Sequence, residues 1–151
     1  MKADKESLLS SLNDSGGRYL IIGAASFPHY GYARATLDID IFIEPTRENA
    51  ERAWNALKGF GFDLSDLSID ELLTKKVLIR EYVVEIDVHP FVAGAQFYDA
   101  WARRKAGRFG RVDVFYASLD DLIAMKVAAG RPKDIEDLKA LRLIKSSTPK
   151  E

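Results

Sequence analysis

Asp38 and Asp40 stand one residue apart in Thr36-Leu37-Asp38-Ile39-Asp40-Ile41, where apolar and polar residues alternate strictly. Period-two alternation is the pattern of a β-strand with one buried face. On such a strand both carboxylates leave from one side, their Cα atoms about 6.6 to 6.8 Å apart. Like charges on a sheet face repel, so an Asp-X-Asp set among Ile and Leu asks for a cation. Asp87 lies on a second alternating segment, and if the two strands are neighbours only about 4.8 Å separates them. Three carboxylates without a thiolate partner suit a hard cation, with magnesium the usual choice where phosphates complete the coordination. Two such ions would activate an attacking hydroxyl and steady a leaving phosphate in an in-line displacement, which is phosphoryl or nucleotidyl transfer. The plainer alternative makes Asp38 and Asp40 solvated residues on the outer face of a one-sided sheet.

The elements that would position these acids follow from the pattern around them. A short amphipathic helix carrying Leu8, Leu9 and Leu12 leads to a turn at Gly16-Gly17 and a buried strand, Tyr19 to Ile22, ending at Gly23. Glycine there lets backbone N–H groups approach a phosphate at the start of the helix expected over Ala24 to Tyr30, or it is simply a turn. The strand Thr36 to Glu44 places Leu37, Ile39, Ile41 and Ile43 on one face and Thr36, Asp38, Asp40, Phe42 and Glu44 on the other. Thr46 caps a helix carrying Ala50, Ala53, Trp54 and Leu57, which Gly59 and Gly61 stop. Val77 to Val88 reads as one long strand or as two strands turning near Arg80-Glu81, with Tyr82, Val84, Ile86 and Val88 opposite Val83, Glu85, Asp87 and His89. Trp54 and Tyr82 read as core. A strand over about Arg111 to Phe115 precedes Ser118, which with Asp121 opens a helix running to Gly130; a last helix starts at Pro132. This order predicts an α/β (α+β) fold, a mixed sheet with helices packed against it and a short C-terminal helical pair.

At 151 residues, 47% hydrophobic and 30% charged, the chain has the composition of one globular domain, expected over 1–145 with 146–151 as a frayed tail. A net charge of -1 excludes bulk attraction to nucleic acid or anionic lipid, so a polyanion must meet a local patch. With no cysteine there is no disulfide, thiolate metal site or cysteine nucleophile. No apolar run approaches a membrane span, and MKADKESLLS lacks the apolar stretch of a secretory signal, so a cytoplasmic protein with no membrane contact is expected.

Ile22-Gly23-Ala24, thirteen further residues, then Asp38-Ile39-Asp40 resemble the signature of the DNA polymerase β-type nucleotidyltransferases. The longer string, with Gly31, Arg34, Thr36, Asp38 and Asp40 in the order Gly-X-X-Arg-X-Thr-X-Asp-X-Asp, is similar to a small bacterial subgroup of abortive-infection and toxin–antitoxin nucleotidyltransferases. Lys126 to Leu138 is similar to its closing motif. The resemblance covers about 19 to 142. It implies a nucleotidyltransferase in which Asp38, Asp40 and Asp87 hold two Mg2+ ions and Asp87 helps to deprotonate an acceptor hydroxyl. An NTP would be the substrate, the acceptor RNA, protein or a small molecule, and a cognate antitoxin a partner. Ala24 stands where the family has a second Gly or Ser; backbone N–H donation survives, and Ser26 is the candidate to replace the missing hydroxyl.

Around this centre Gly23, Ala24, Ser26, Arg34, Thr36, Lys126 and Arg131 form the expected nucleotide-binding set. Arg34 offers a guanidinium suited to bidentate phosphate binding. Lys126 falls on the core-facing stripe of Leu119, Leu122 and Ile123, where it either snorkels or meets a phosphate or carboxylate. Arg131 and Lys133 add phosphate contacts, while Asp134 and Asp137 read as first-turn dipole partners bridging to Arg34 or Lys126. Glu85 and His89 share the face of Asp87 and compete with it, although His89 and His29 read more simply as surface or hydrogen-bonded histidines. Arg103, Arg104, Lys105, Arg108 and Arg111, with Trp101 and Phe109 among them, are either a grip for RNA or a solvated helix end and turn. A non-catalytic module of the same fold and a metal-dependent phosphohydrolase are the competing functions.

Overall fold

The computed structural model describes residues 4–81 and 84–147; Tyr82, Val83 and the tail beyond Ser147 lie outside the described residues. Its elements run α1 (Lys5–Asp14), β1 (Tyr19–Ile22), a 3-10 helix (Gly23–Tyr30), β2 (Asp38–Ile43), α2 (Arg47–Phe60) and α3 (Ile69–Thr74). There follow β3 (Val77–Glu81), β4 (Val84–His89), α4 (Phe97–Ala102), β5 (Lys105–Phe109) and β6 (Val112–Tyr116). Last come α5 (Leu119–Ala129), a second 3-10 turn (Pro132–Asp134) and α6 (Ile135–Ser147), which continues into the residues expected to fray. The strands form one mixed sheet in the order β3-β4-β2-β1-β6-β5. β2 lies antiparallel to β1 and parallel to β4, and the expected mixed sheet with a C-terminal helical pair is observed.

Alternation sorts the sheet's two faces. Ile39, Ile41 and Ile43 of β2, with Ile86 and Val88 of β4, turn to one side and bury against Leu8, Leu9 and Leu12 of α1, Ala50, Ala53 and Leu57 of α2, and Leu72 of α3. On the other side Leu20, Ile22 and Phe42 bury against Phe27, Phe97, Leu122 and Leu141. None of the buried members of this second core comes from β3 or β4. The helices on that side therefore cover β1 and the end of β2, leaving the acidic rows of β2 and β4 open to a cleft.

Helix boundaries follow their caps. The Thr46 hydroxyl accepts from the Asn49 N–H and the Ser118 hydroxyl from the Asp121 N–H, satisfying donors that the first turn leaves unpaired. Gly130, at φ 61°, closes α5 in the left-handed region.

Several expectations change. Of the two readings left open for Val77 to Val88, two antiparallel strands are observed, β3 and β4. The β2 strand begins at Asp38, and Leu37, expected on the buried face, is 81% exposed. The segment after Gly23 coils as a 3-10 helix, and Gly59 lies inside α2. Trp54 is half-buried, packing on the first core while its indole N–H donates to Leu67 O. The elements α3, α4 and β5 were not anticipated.

Candidate active site

The acids meet through strand register. In the parallel β2–β4 pair Asp38 lies opposite Glu85, Asp40 opposite Asp87, and Phe42 opposite His89. In the antiparallel β3–β4 pair Arg80 lies opposite Glu85 and Leu78 opposite Asp87. Paired residues share a face, so two rows cross the open side of the sheet: Arg80, Glu85, Asp38, and beside it Leu78, Asp87, Asp40. Asp38, Asp40 and Asp87 thus lie on one face of neighbouring strands, and of the three Asp40 and Asp87 are the pair whose ligand atoms converge.

Their partners are already in place. Asp40 Oδ1 lies 2.8 Å from His89 Nε2. Arg80 donates to Asp87 Oδ1 at 2.5 Å and to Asp38 Oδ2 at 3.4 Å, and its Nε is 3.6 Å from Glu85. Burial pushes the Asp87 carboxyl above the ordinary aspartate range; the Arg80 hydrogen bond opposes this and the negative charge of Asp40 reinforces it. Burial acts on Asp40 as well, but hydrogen bonds from His89 and Asp87 and the charge of Lys76 outweigh it and hold Asp40 below that range. The two neighbouring carboxyls are thus driven in opposite directions, Asp40 below and Asp87 above the ordinary range.

Gly23 closes the other side. At φ +64° it occupies backbone space that side chains disfavour, and a Cβ there would sit 2.7 Å from Asp40 Oδ2. The glycine thus lets the turn after β1 press directly on a site carboxylate. Ser26 is buried and its hydroxyl donates to Gly23 O at 2.6 Å; it braces this turn, so the hydroxyl that Ala24 lacks is not replaced in this arrangement. Thr36 Oγ1 contacts Asp38 O at 3.0 Å and Asp38 Oδ1 at 3.1 Å, fixing the first carboxylate.

A cleft of about 550 Å3 opens over these groups, lined by Gly23, Ala24, Arg34, Thr36, Lys126 and Arg131 as well as the three aspartates. The cations on its far wall are paired with acids. Arg34 reaches Asp137 at 3.0 Å, Lys126 reaches Asp134 at 2.9 Å and Asp137 at 3.4 Å, and Arg131 reaches Asp134 at 2.7 Å. The bridging expected of Asp134 and Asp137 is therefore present. Three basic side chains against two carboxylates leave a positive surplus beside the acidic rows.

Residues that sequence reasoning missed are Arg80 and Lys76, which neutralise parts of the site. Arg80 is detectable only once β3 and β4 are paired, because that pairing sets it opposite Glu85. His89 belongs to the site through Asp40. His29 does not: it stacks on Tyr116 at 4.5 Å, and burial lowers its pKa. Three members of the basic cluster have partners within the chain. Arg103 pairs with Asp121, Arg108 with Asp113, and Arg104 lies over Trp101 and Phe115.

Asp40, Asp87 and His89 each present a ligand atom, all within 4.8 Å of one another. Two carboxylates and an imidazole that converge beside the Cβ-free turn at Gly23 fit a divalent cation. Among the described residues no helix is long and apolar enough to cross a membrane. A family model described as a nucleotidyltransferase of unknown function (DUF6036) matches residues 1–148. No curated protein matches the chain.

Proposed function

Starting from the chain's membership of the family of nucleotidyltransferases of unknown function (DUF6036), we propose that it is a magnesium-dependent enzyme moving a nucleoside monophosphate from an NTP to a hydroxyl, with release of pyrophosphate. The observation that carries this reading is the register pairing of Asp40 with Asp87 beside the turn at Gly23. Asp40 and Asp87, on the row beside Asp38, are the residues that would hold magnesium, which when bound supplies charge to offset the triphosphate and the developing oxyanion. Arg34, Lys126 and Arg131 orient the triphosphate along the positive wall, and the backbone at Gly23 and Ala24 approaches it from the turn. Asp87 accepts the proton of the acceptor hydroxyl. The acceptor oxygen bonds to the α-phosphorus as the bond from that phosphorus to the bridging oxygen breaks, and the electron pair leaves with pyrophosphate.

The acceptor class is RNA, protein or a small molecule. The Gly31, Arg34, Thr36, Asp38, Asp40 spacing supports extending the reading to a toxin–antitoxin component with a cognate antitoxin as partner. Incubation of α-labelled NTP with magnesium and cell extract tests the reaction. Labelled acceptor and pyrophosphate are expected from the wild type; transfer no greater than that of the Asp38→Ala, Asp40→Ala double variant would reject it. One observation favours a second reading, a non-catalytic binding module: Arg80 already neutralises Asp87. Calorimetry separates the two: tight Mg–NTP binding that requires the metal and Asp40 would argue against that module.

A further inference from the structure

The two rows of the acidic face are occupied differently. The row nearer the start of β2 holds Asp38 and Glu85, and Arg80 extends across it from the edge strand to touch both of them and Asp87. In the neighbouring group of Asp40, Asp87 and His89 the ligand atoms converge within 4.8 Å. Arg80 reaches only the Asp87 edge of that group, and Asp40 is paired with His89. Building on the nucleotidyltransferase reading, we propose that this site takes one divalent ion, on Asp40, Asp87 and His89, and that the Arg80 guanidinium stands permanently in the place of a second cation among Asp38, Glu85 and Asp87.

The physical grounds are charge, reach and permanence. Four carboxylates on adjacent strands need more positive charge than one divalent ion brings, and like charges directly across a sheet are destabilising. A guanidinium stays protonated at every working pH and offers five donors in a planar fork, so it can serve several carboxylates at once. Here three carboxylates do use it. The Arg80 side chain is 40% exposed while that of Asp87 is 6% exposed, so the guanidinium meets the buried acid from the more exposed side. With Asp87 Oδ1 committed to Arg80, one oxygen of that carboxylate remains for a metal or an acceptor proton, where a bridging role between two ions would use both.

Electron paramagnetic resonance with Mn2+ and an NTP analogue that cannot be cleaved between the α- and β-phosphates decides the matter, with Mn2+–nucleotide alone as baseline. Two Mn2+ ions about 3.5 to 4 Å apart, the usual two-metal spacing, give a spin-coupled spectrum, whereas one isolated ion gives six lines. The expected result is an isolated site in the wild type and in Arg80→Lys, and a coupled pair in Arg80→Gln, each variant first checked for native circular dichroism. A coupled pair in the wild type overturns the inference and leaves the proposed reaction standing. Isolated ions in both the wild type and a folded Arg80→Gln also overturn it, because Arg80 would then not be what excludes the second ion. Absence of any protein-bound Mn2+ in the wild type overturns the inference and the proposed reaction together. If Arg80→Gln does not fold, the wild-type spectrum alone still decides between one ion, which supports the inference, and a coupled pair, which overturns it.

Discussion

At Gly23 stability and chemistry respond differently to one substitution. Alanine there meets the left-handed backbone and the end of the Asp40 side chain. The backbone term is about 1 kcal/mol, and a carboxylate end can swing away, so the fold should survive. Asp40 cannot swing without leaving His89 and Asp87, and a displacement of this kind costs about 100-fold in rate. Gly23→Ala should therefore lose activity far out of proportion to its shift in urea midpoint; equal, small effects on both would contradict the account. Asp134 gives a pH signature on the opposite wall. Burial raises its pKa, but Arg131 and Lys126 outweigh burial and hold it at about 2 against 3.8 for a free aspartate. A depressed carboxyl contributes stability that is full above the unfolded value and fades as pH falls toward the folded one. Asp134→Asn should thus cost about 2 kcal/mol at neutral pH, and urea titrations should show that gap shrinking as pH falls from about 4 toward 2. The spacing of Asp38, Asp40 and Asp87 made the acids legible in the sequence. Two neighbouring positive charges were not: Arg80 meets the acids only through the β3–β4 and β2–β4 pairings, and Lys76 lies just before β3.

Among the elements, β2 has the clearest task, carrying core on one face and chemistry on the other. Phe42 sits on the chemical face two residues past Asp40 and packs edge-on against Phe97, ring centroids 5.3 Å apart. It joins the strand that bears the acids to the helical layer. Phe42→Ala should destabilise by about 3 to 5 kcal/mol, with thermal unfolding as the readout; a loss under about 1 kcal/mol would mean that this contact does not hold the layers together. The same strand shows where pattern reading stops. Its alternation located Ile39, Ile41 and Ile43 correctly, yet Leu37 obeys the pattern and lies in solvent, because pairing with β4 starts only at Asp38. β5 was invisible for the converse reason: Lys105-Ala-Gly-Arg-Phe109 is an edge strand held by backbone bonds to β6, with little apolar alternation to announce it. The caps at Thr46, Ser118 and Gly130 were readable because they act within one turn.

On the scale of the whole molecule, the sheet order brings β1, β2 and β4 side by side although α2, α3 and β3 separate them in the chain. That arrangement sets the glycine turn, the Asp-X-Asp strand and the third aspartate around one cleft, and the closing helices add a positive wall. With a net charge of -1 the protein has no general pull on polyanions, so NTP affinity must come from this cleft. Removing the surplus should show it: Lys126→Met should weaken Mg–NTP binding in calorimetry about tenfold or more, a loss of about 1.4 kcal/mol, and an unchanged Kd would place the triphosphate elsewhere. The most direct measurement of the central claim follows two labels in one reaction, one on the α-phosphate and one on the γ-phosphate. The α-label should appear on an acceptor while the γ-label leaves in pyrophosphate, and Asp87→Asn, folded as the wild type, should slow both about 100- to 10,000-fold. Release of the γ-label as inorganic phosphate, or of the α-label as free nucleoside monophosphate with no labelled acceptor, would contradict it.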